Sequence, residues 1–267
     1  MNPPSRLVLL GDPVSHSLSP VFQNAALKDA GLPVVYEALR VEASQLRQQF
    51  GDLKEQNAAG NVTIPHKLAA YGYCERVTRV AVRVGGVNTF WVEDSLLHGD
   101  NTDVEGFNRA AGAMIGEAPE GVRVVLIGAG GAAAAVLAAV EHWTGSSALV
   151  ISRNTGRAAS LIARFGDVAS VETDTGRALA QATLVVNATP IGQRDDAQPC
   201  DVNAIAGNAA VMDLVYRKGG TPWVNAAKAR GLRAVDGLPM LLEQGALSFH
   251  RWFGFEPNRE VMQRSLL

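Results

Sequence analysis

The segment Val122–Ala133, reading Val-Arg-Val-Val-Leu-Ile-Gly-Ala-Gly-Gly-Ala-Ala, constrains the fold of this chain more than any other stretch. An apolar strand runs into a glycine-rich turn, and an alanine-rich helix follows at once. Gly128, Gly130 and Ala133 form a G-x-G-x-x-A pattern. The first glycine permits a tight turn, the second lets a pyrophosphate approach the backbone, and a small third residue lets helix and strand close up. The pyrophosphate then rests on the unsatisfied amides of the helix N-terminus, which makes Gly128, Ala129, Gly130, Gly131 and Ala132 candidate dinucleotide contacts. A bare glycine pattern is equally consistent with a packing turn; the strand before it and the helix after it favour the dinucleotide.

A site selective for NAD places an acid about 20 residues further on, where it accepts hydrogen bonds from the ribose. Here the second strand ends Val150-Ile151-Ser152-Arg153-Asn154, without an acid. Arg153, and Arg157 one turn later, suit a 2′-phosphate, because a guanidinium grips phosphate with parallel hydrogen bonds. Ser152 and Asn154 add neutral hydrogen bonds. NADP is therefore the expected cofactor, the alternative being that both arginines lie on a solvated face.

The glycine turn opens a series that starts with a strand at Val122–Ile127. A helix at Gly131–His142 and a strand at Ala148–Ile151 follow, and the alternation continues to Asp213-Leu214-Val215-Tyr216. This reads as a doubly wound parallel sheet. A separate α/β alternation fills the first hundred residues. Strands are expected at Arg6–Leu10, Val34–Arg40, Gly60–Ile64 and Gly86–Val92, with helices from Ser19 to Ala30 and over Glu42–Asn57. Ser19 reads as the cap of the first of these helices, with Pro20 in its first turn. A helix from Asp103 to about Ala113 leads through the loop Gly116–Gly121 into the second series. The long helical pattern Leu238–Phe253 comes after a complete Rossmann unit and is expected to return to the first domain. The expected division is residues 1–102 with 238–267, and 103–237 between them.

Composition excludes several classes of function. With 47% hydrophobic and 19% charged residues the chain is an ordinary globular protein, and a net charge of -2 without basic runs shows no nucleic-acid footprint or polybasic membrane anchor. Cys74 and Cys200 stand far apart and outside any paired metal-ligand spacing, so neither a disulfide framework nor a metal site is expected, and a reducing cytoplasm fits. The uncharged run Val124–Val140 falls short of the ~20 residues of a membrane span and breaks into strand, turn and helix. A small molecule is the expected partner.

Four further clusters are too specific for scaffold: Ser15-His16-Ser17-Leu18-Ser19-Pro20; Asn61-Val62-Thr63-Ile64-Pro65-His66-Lys67; Gly86-Val87-Asn88-Thr89; and Asn101-Thr102-Asp103. With Gly128–Ala132, Asp213–Tyr216 and the run Gly237-Leu238-Pro239-Met240-Leu241-Leu242-Glu243-Gln244, they appear in an order and at spacings that resemble the shikimate dehydrogenase family along nearly the whole chain. The resemblance implies a discontinuous α/β substrate domain, made of the N-terminal part and the last helices, with a Rossmann NADP domain inserted. It implies reversible hydride transfer between NADP and the C3 position of shikimate or 3-dehydroshikimate, on the route to chorismate and aromatic amino acids. The family contains both monomers and homodimers.

By the same resemblance, Lys67 and Asp103 match the catalytic pair: the lysine polarises the carbonyl and exchanges the proton, and Asp103 orients it and binds a substrate hydroxyl. Ser17 and Ser19 match the positions that hold the substrate carboxylate. Thr63, Asn88 and Gln244 match those that hydrogen-bond its hydroxyls, and Tyr216 completes the pocket. Leu214, Gly237 and Met240 fall to the cofactor. Three departures concern cofactor affinity more than reaction type: Gln193 follows Gly192 where the family usually has Met, Arg79 stands where many members have an acid, and Ser152 replaces a common asparagine. The rival reading is a quinate/shikimate dehydrogenase of broader substrate use, working with NAD or NADP; a rival from another class is a regulator that binds the dinucleotide without chemistry.

Overall fold

A computed structural model describes residues 3–266. Two compact units share the chain, residues 1–106 with 241–267, and 107–240. The first unit carries a six-stranded sheet built from β1 (Arg6–Gly11), β2 (Tyr36–Arg40), β3 (Ala58–Val62), β4 (Arg76–Val77), β5 (Thr89–Glu93) and β6 (Leu96–Asp100), in the order β2-β1-β3-β5-β6-β4. Its helices are α1 (Ser19–Asp29), α2 (Leu46–Glu55), α3 (Lys67–Tyr73) and α4 (Arg79–Val84). Helix α5 (Asp103–Ile115) starts in this unit.

Strand β1 pairs in parallel with both β2 and β3, which places it in the sheet interior. Its side chains alternate between two buried faces. Leu7 and Leu9 pack with Phe22, Leu27, Phe249 and Trp252 on one side; Val8 and Leu10 pack with Leu46, Phe50 and Leu53 on the other. An apolar run without polar alternation is what a strand covered on both faces requires. The antiparallel hairpin β5–β6 turns at Asp94 and Ser95, both at positive φ. That turn carries none of the Gly or Asn signals that mark a hairpin in sequence, so the sequence marks only the first strand.

The second unit contains β7 (Arg123–Ile127), β8 (Ser147–Ile151), β9 (Ala169–Val171), β10 (Leu184–Asn187), β11 (Ala210–Asp213) and β12 (Arg233–Val235). All five pairings are parallel, and the order is β12-β11-β10-β7-β8-β9, the doubly wound order with its switch point between β7 and β10. Helices α6 (Gly131–Val140), α7 (Thr155–Phe165), α8 (Thr175–Gln181) and α9 (Pro222–Ala229) connect the strands. One face buries Val125, Ile127, Val185 and Val211 against Trp223 and Val224. Helix α6 has no polar face at all, and every residue from Ala133 to Val140 is buried. Helix α10 (Leu238–Phe253) has the expected limits; it and α11 (Arg259–Arg264) supply Phe249, Trp252 and Met262 to the core of the first unit.

Candidate active site

In the first unit the sheet brings the sequence motifs to one edge. Strands β1 and β3 run parallel and end at Gly11 and Val62, so the segments leading to Ser17 and to Lys67 leave from the same side. The antiparallel partners β5 and β6 start and end there, with Thr89 opposite Asn61 and Asp100 opposite Thr89. Asn88 and the Asn101–Asp103 turn therefore join the group.

Lys67 Nζ donates to Asp103 Oδ2 at 2.6 Å, with the lysine side chain 24% exposed and the aspartate 8%. Asp103 opens α5, where a carboxylate suits the helix dipole; Lys67 opens α3, where a cation opposes it. A local rule broken at a candidate site, with a carboxylate in compensation, is the pattern of function rather than of stability. The other oxygen, Asp103 Oδ1, accepts from Asn88 Nδ2 at 2.8 Å, and Asn88 Oδ1 accepts from the Thr102 backbone at 2.7 Å. Asn101 bridges Gly86 O and the Asp103 amide, at 2.8 and 3.2 Å. Gln244 comes within 3.4 Å of Asn88 Nδ2 through Oε1. Lys67, Asp103, Asn88 and Gln244 thus form one hydrogen-bonded group.

Ser17, Ser19 and Thr63 lie at the same sheet edge without joining that group. Ser19 does not cap α1: Leu18 occupies the cap position, Ser19 is the first helical residue, and its amide donates to Ser17 Oγ at 3.2 Å. The amides that a Ser19 cap would serve, those of Val21 and Phe22, donate to Leu18 O at 3.0 and 3.4 Å instead. Thr63 is half-buried, its methyl over Gly11, a contact only a residue without Cβ allows. His66, which the sequence left unassigned, is buried and bonds Val41 O through Nε2 at 2.6 Å, anchoring the start of α3 beneath Lys67. A groove of about 790 Å³ lies at the hairpin end of the sheet, lined by residues such as Gly51, Asn57 and Asp94; its lysine, Lys54, is held by Glu75 at 2.7 Å, so it offers no comparable chemistry.

In the second unit, Gly128 has φ +117° and a Cβ there would fall 2.9 Å from Ala188 O, so both conformation and space demand glycine. At Gly130 and Gly131 a Cβ would meet nothing, and Gly130 heads α6 without a side-chain cap. Open backbone and uncapped amides fit a pyrophosphate. Ala129 and Ala132 are half-buried beside them. At the end of β8, Asn154 Oδ1 caps α7 through the Arg157 amide at 2.9 Å, and Ser152 Oγ bonds both backbone ends of Asn154 at 3.2 Å. These two side chains shape the turn, while Arg153 and Arg157 are exposed and make no ion pair with a described carboxylate. Leu214 and Tyr216 are half-buried after β11, Met240 is buried, and Gly237 is pressed against Leu214 O so closely that only glycine fits.

Asp213, which enters the sequence argument only as part of a motif, has a structural role that its position in the chain does not show. It is fully buried and accepts from Asn187 Nδ2 and Thr221 Oγ1 at 2.8 Å each and from the Val215 amide at 3.1 Å, tying together the ends of β10 and β11 and the start of α9. Burial pushes its carboxyl above the ordinary range against the pull of these hydrogen bonds. Aspartate at the end of an apolar strand was the available signal.

A doubly wound sheet with an open glycine turn, and a lysine–carboxylate pair held among neutral amides, define a dinucleotide-dependent oxidoreductase. Comparison with known proteins narrows the class. Residues 9–90 match the model of the shikimate dehydrogenase substrate binding domain, and residues 237–267 that of the shikimate 5'-dehydrogenase C-terminal domain. The shikimate dehydrogenase (NADP(+)) of Methylocella silvestris is 42% identical over 94% of this chain and 91% of its own. The crystal structure of the Aquifex aeolicus shikimate dehydrogenase superposes with a TM-score of 0.92 at 33% identity, covering 98% of this chain and 97% of the other. That of the Thermus thermophilus shikimate 5-dehydrogenase, in complex with NADP(H) and shikimate, gives 0.89 at 36% identity and 97% of both chains. The chain belongs to the shikimate dehydrogenase family.

Proposed function

We infer that this protein catalyses the reversible NADPH-dependent reduction of 3-dehydroshikimate to shikimate, a step toward chorismate and the aromatic amino acids. The observation that carries the reading is the 2.6 Å contact between Lys67 Nζ and Asp103 Oδ2 within a group of uncharged amides. Bound NADPH supplies the hydride. As charge develops on the ketone oxygen, the Lys67 ammonium polarises it and gives up a proton, completing the hydroxyl; in the reverse direction the neutral amine takes that proton back. Asp103 holds Lys67 and accepts from a substrate hydroxyl. Gln244, Asn88 and Thr63 offer donors and acceptors without added charge, as a polyhydroxylated ring requires, and Ser17 and Ser19 hold the carboxylate at the start of α1. Tyr216 completes the substrate set.

The residues of the second unit fit NADP. Gly128 to Ala132 would receive the pyrophosphate, and Arg153 and Arg157, which pair with no carboxylate among the described residues, would grip the 2′-phosphate over the turn that Ser152 and Asn154 shape. Leu214, Gly237 and Met240 would border the nicotinamide. In this reading residues 1–102 and 238–267 serve the substrate and residues 103–237 the nucleotide. No helix among the described residues is long and apolar enough to cross a membrane, and two unpaired cysteines agree with a cytoplasmic enzyme. The decisive test is a panel of shikimate and quinate against NADP+ and NAD+, followed by nicotinamide absorbance. Shikimate with NADP+ is expected to give by far the highest kcat/KM and quinate little turnover. Equal kcat/KM for the two cofactors rejects the arginine clamp, and no shikimate turnover rejects the function.

A further inference from the structure

Helix α10 carries polar side chains at 244, 248 and 251, a spacing that puts them on one helical face. All three reach the hydrogen-bonded group around the turn from Asp100 to Asp103. Gln244 meets Asn88; Ser248 Oγ lies 3.1 Å from Thr102 Oγ1; and Arg251 Nε donates to Asp100 Oδ2 at 2.8 Å. Ser248 is fully buried, as are Asn61 and Thr102 to within 5%. None of the three faces solvent, so each hydrogen needs a protein acceptor.

That accounting fixes a direction. The Ser248 hydroxyl gives its one hydrogen to Gln244 O at 2.9 Å, leaving its oxygen to accept from Asn61 Nδ2 at 2.8 Å and from the Thr102 hydroxyl. Thr102 Oγ1 in turn accepts from Asn88 Nδ2 at 3.0 Å, and the same amide donates to Asp103 Oδ1. Asn61 is itself held, its oxygen accepting from Tyr36 OH at 2.8 Å and its amide also donating to Asn88 O at 3.0 Å. A continuous buried chain runs from the core, through Ser248, to the carboxylate oxygen that Lys67 does not use.

We propose that Ser248 is a positioning residue for the reduction: by accepting the Thr102 hydroxyl it sets the orientation of Asn88, and through Asn88 that of the Asp103 carboxylate that aims Lys67. The proposal rests on the function inferred above. Without Ser248 Oγ, the Thr102 hydroxyl hydrogen turns to its other acceptor, Asn88 Oδ1 at 3.2 Å, so the lone pair that receives Asn88 Nδ2 turns away and the amide that steers Asp103 is held by the Thr102 backbone with less constraint. Ser248 is too deeply buried to bind substrate, so its loss acts on the aim of the proton donor, which counts in the transition state, more than on binding.

The test is steady-state kinetics of S248A, T102V, T102S and the S248A/T102V double variant, with thermal melts of each. S248A is expected to lower kcat about tenfold while KM for shikimate and for NADP+ stays within about twofold. The double variant is expected to be no slower than T102V, because both act on one chain of bonds, and T102S, which keeps the hydroxyl, to match wild type. Should S248A fold poorly, S248C replaces it with the same two readings. A folded variant with kcat less than threefold below wild type, a loss carried by KM, or independent losses in the double variant overturns the proposal. Absence of shikimate turnover in the wild-type protein overturns the inferred function instead.

Discussion

At the scale of single residues, the chemistry depends on charge held in partial burial. Asp103 Oδ2 holds Lys67 Nζ at 2.6 Å, and in the proposed reading replacement of Lys67 by alanine removes the proton donor while leaving the glycine turn untouched. K67A is expected to reduce kcat by about 10²–10⁴-fold with the NADP+ dissociation constant nearly unchanged, read by stopped-flow and by titration calorimetry. An unaffected rate assigns the proton to another group. Asp213 makes a prediction about stability. Its native carboxyl holds a proton to higher pH than in the unfolded chain, so the folded state binds more protons in that window, and stability falls as pH rises from about 3.9, the ordinary value, toward the raised one. D213N keeps an oxygen for Asn187 and Val215 and turns an amide toward Thr221, but does not titrate. Urea unfolding from pH 4 to 7 should show D213N gaining on wild type as pH rises; a constant or shrinking difference means that Asp213 is ionised throughout. Asp236, whose burial raises its carboxyl as well, adds to the rise at Asp213 by like-charge repulsion, and it is present in both proteins.

At the scale of elements, what matters is how closely two helices approach. Gly106 lies in the first turns of α5, and a Cβ there would come 2.8 Å from Gln244 Cβ and 2.9 Å from Gln244 N. Alanine is the better helix former by about 0.8–1.0 kcal/mol, so in open space G106A would stabilise the protein. Against the backbone of α10 the overlap costs about 1–3 kcal/mol, and the sign reverses. G106A is therefore expected to lower stability and to raise KM for shikimate as Gln244 moves, both measured on the purified variant; a stabilised protein with unchanged KM shows that α10 has room to give. The same pair of elements shows what the sequence withheld. Leu238–Phe253 was legible as a helix from its period and length, and Gln244 from its motif. Ser248 and Arg251 were not, because a serine and an arginine acquire meaning only from what faces them, here Thr102 and a buried Asp100. The β5–β6 hairpin escaped for a different reason: Asp94-Ser95 adopts the left-handed turn with serine where glycine usually follows the aspartate.

At the scale of the whole molecule, two units each keep their own sheet and core. If the substrate belongs to one and the nucleotide to the other, the amides that each ligand protects must separate along the chain. Hydrogen exchange with NADP+ alone is expected to slow the amides of Gly128–Ala132 and Ser152–Arg157, and shikimate alone those of residues 61–67 and 101–103. Shikimate protecting the glycine turn directly, or NADP+ protecting the Lys67 segment to the same degree, would contradict that division.

By itself the sequence determined the doubly wound sheet, since apolar strands alternating with helices bury both faces of a parallel sheet and few other arrangements do. It also determined the dinucleotide turn, because Gly128 meets a demand of backbone geometry that no other residue fills. Only the tertiary structure decided which side chains work together. Asn88 was expected to meet substrate, and the fold adds that its amide also steers Asp103; Ser19 was expected to cap a helix, and Leu18 occupies that position instead. Hydrogen bonds between residues far apart in the chain depend on distances of a few tenths of an ångström, which packing sets and which spacing along a sequence does not encode.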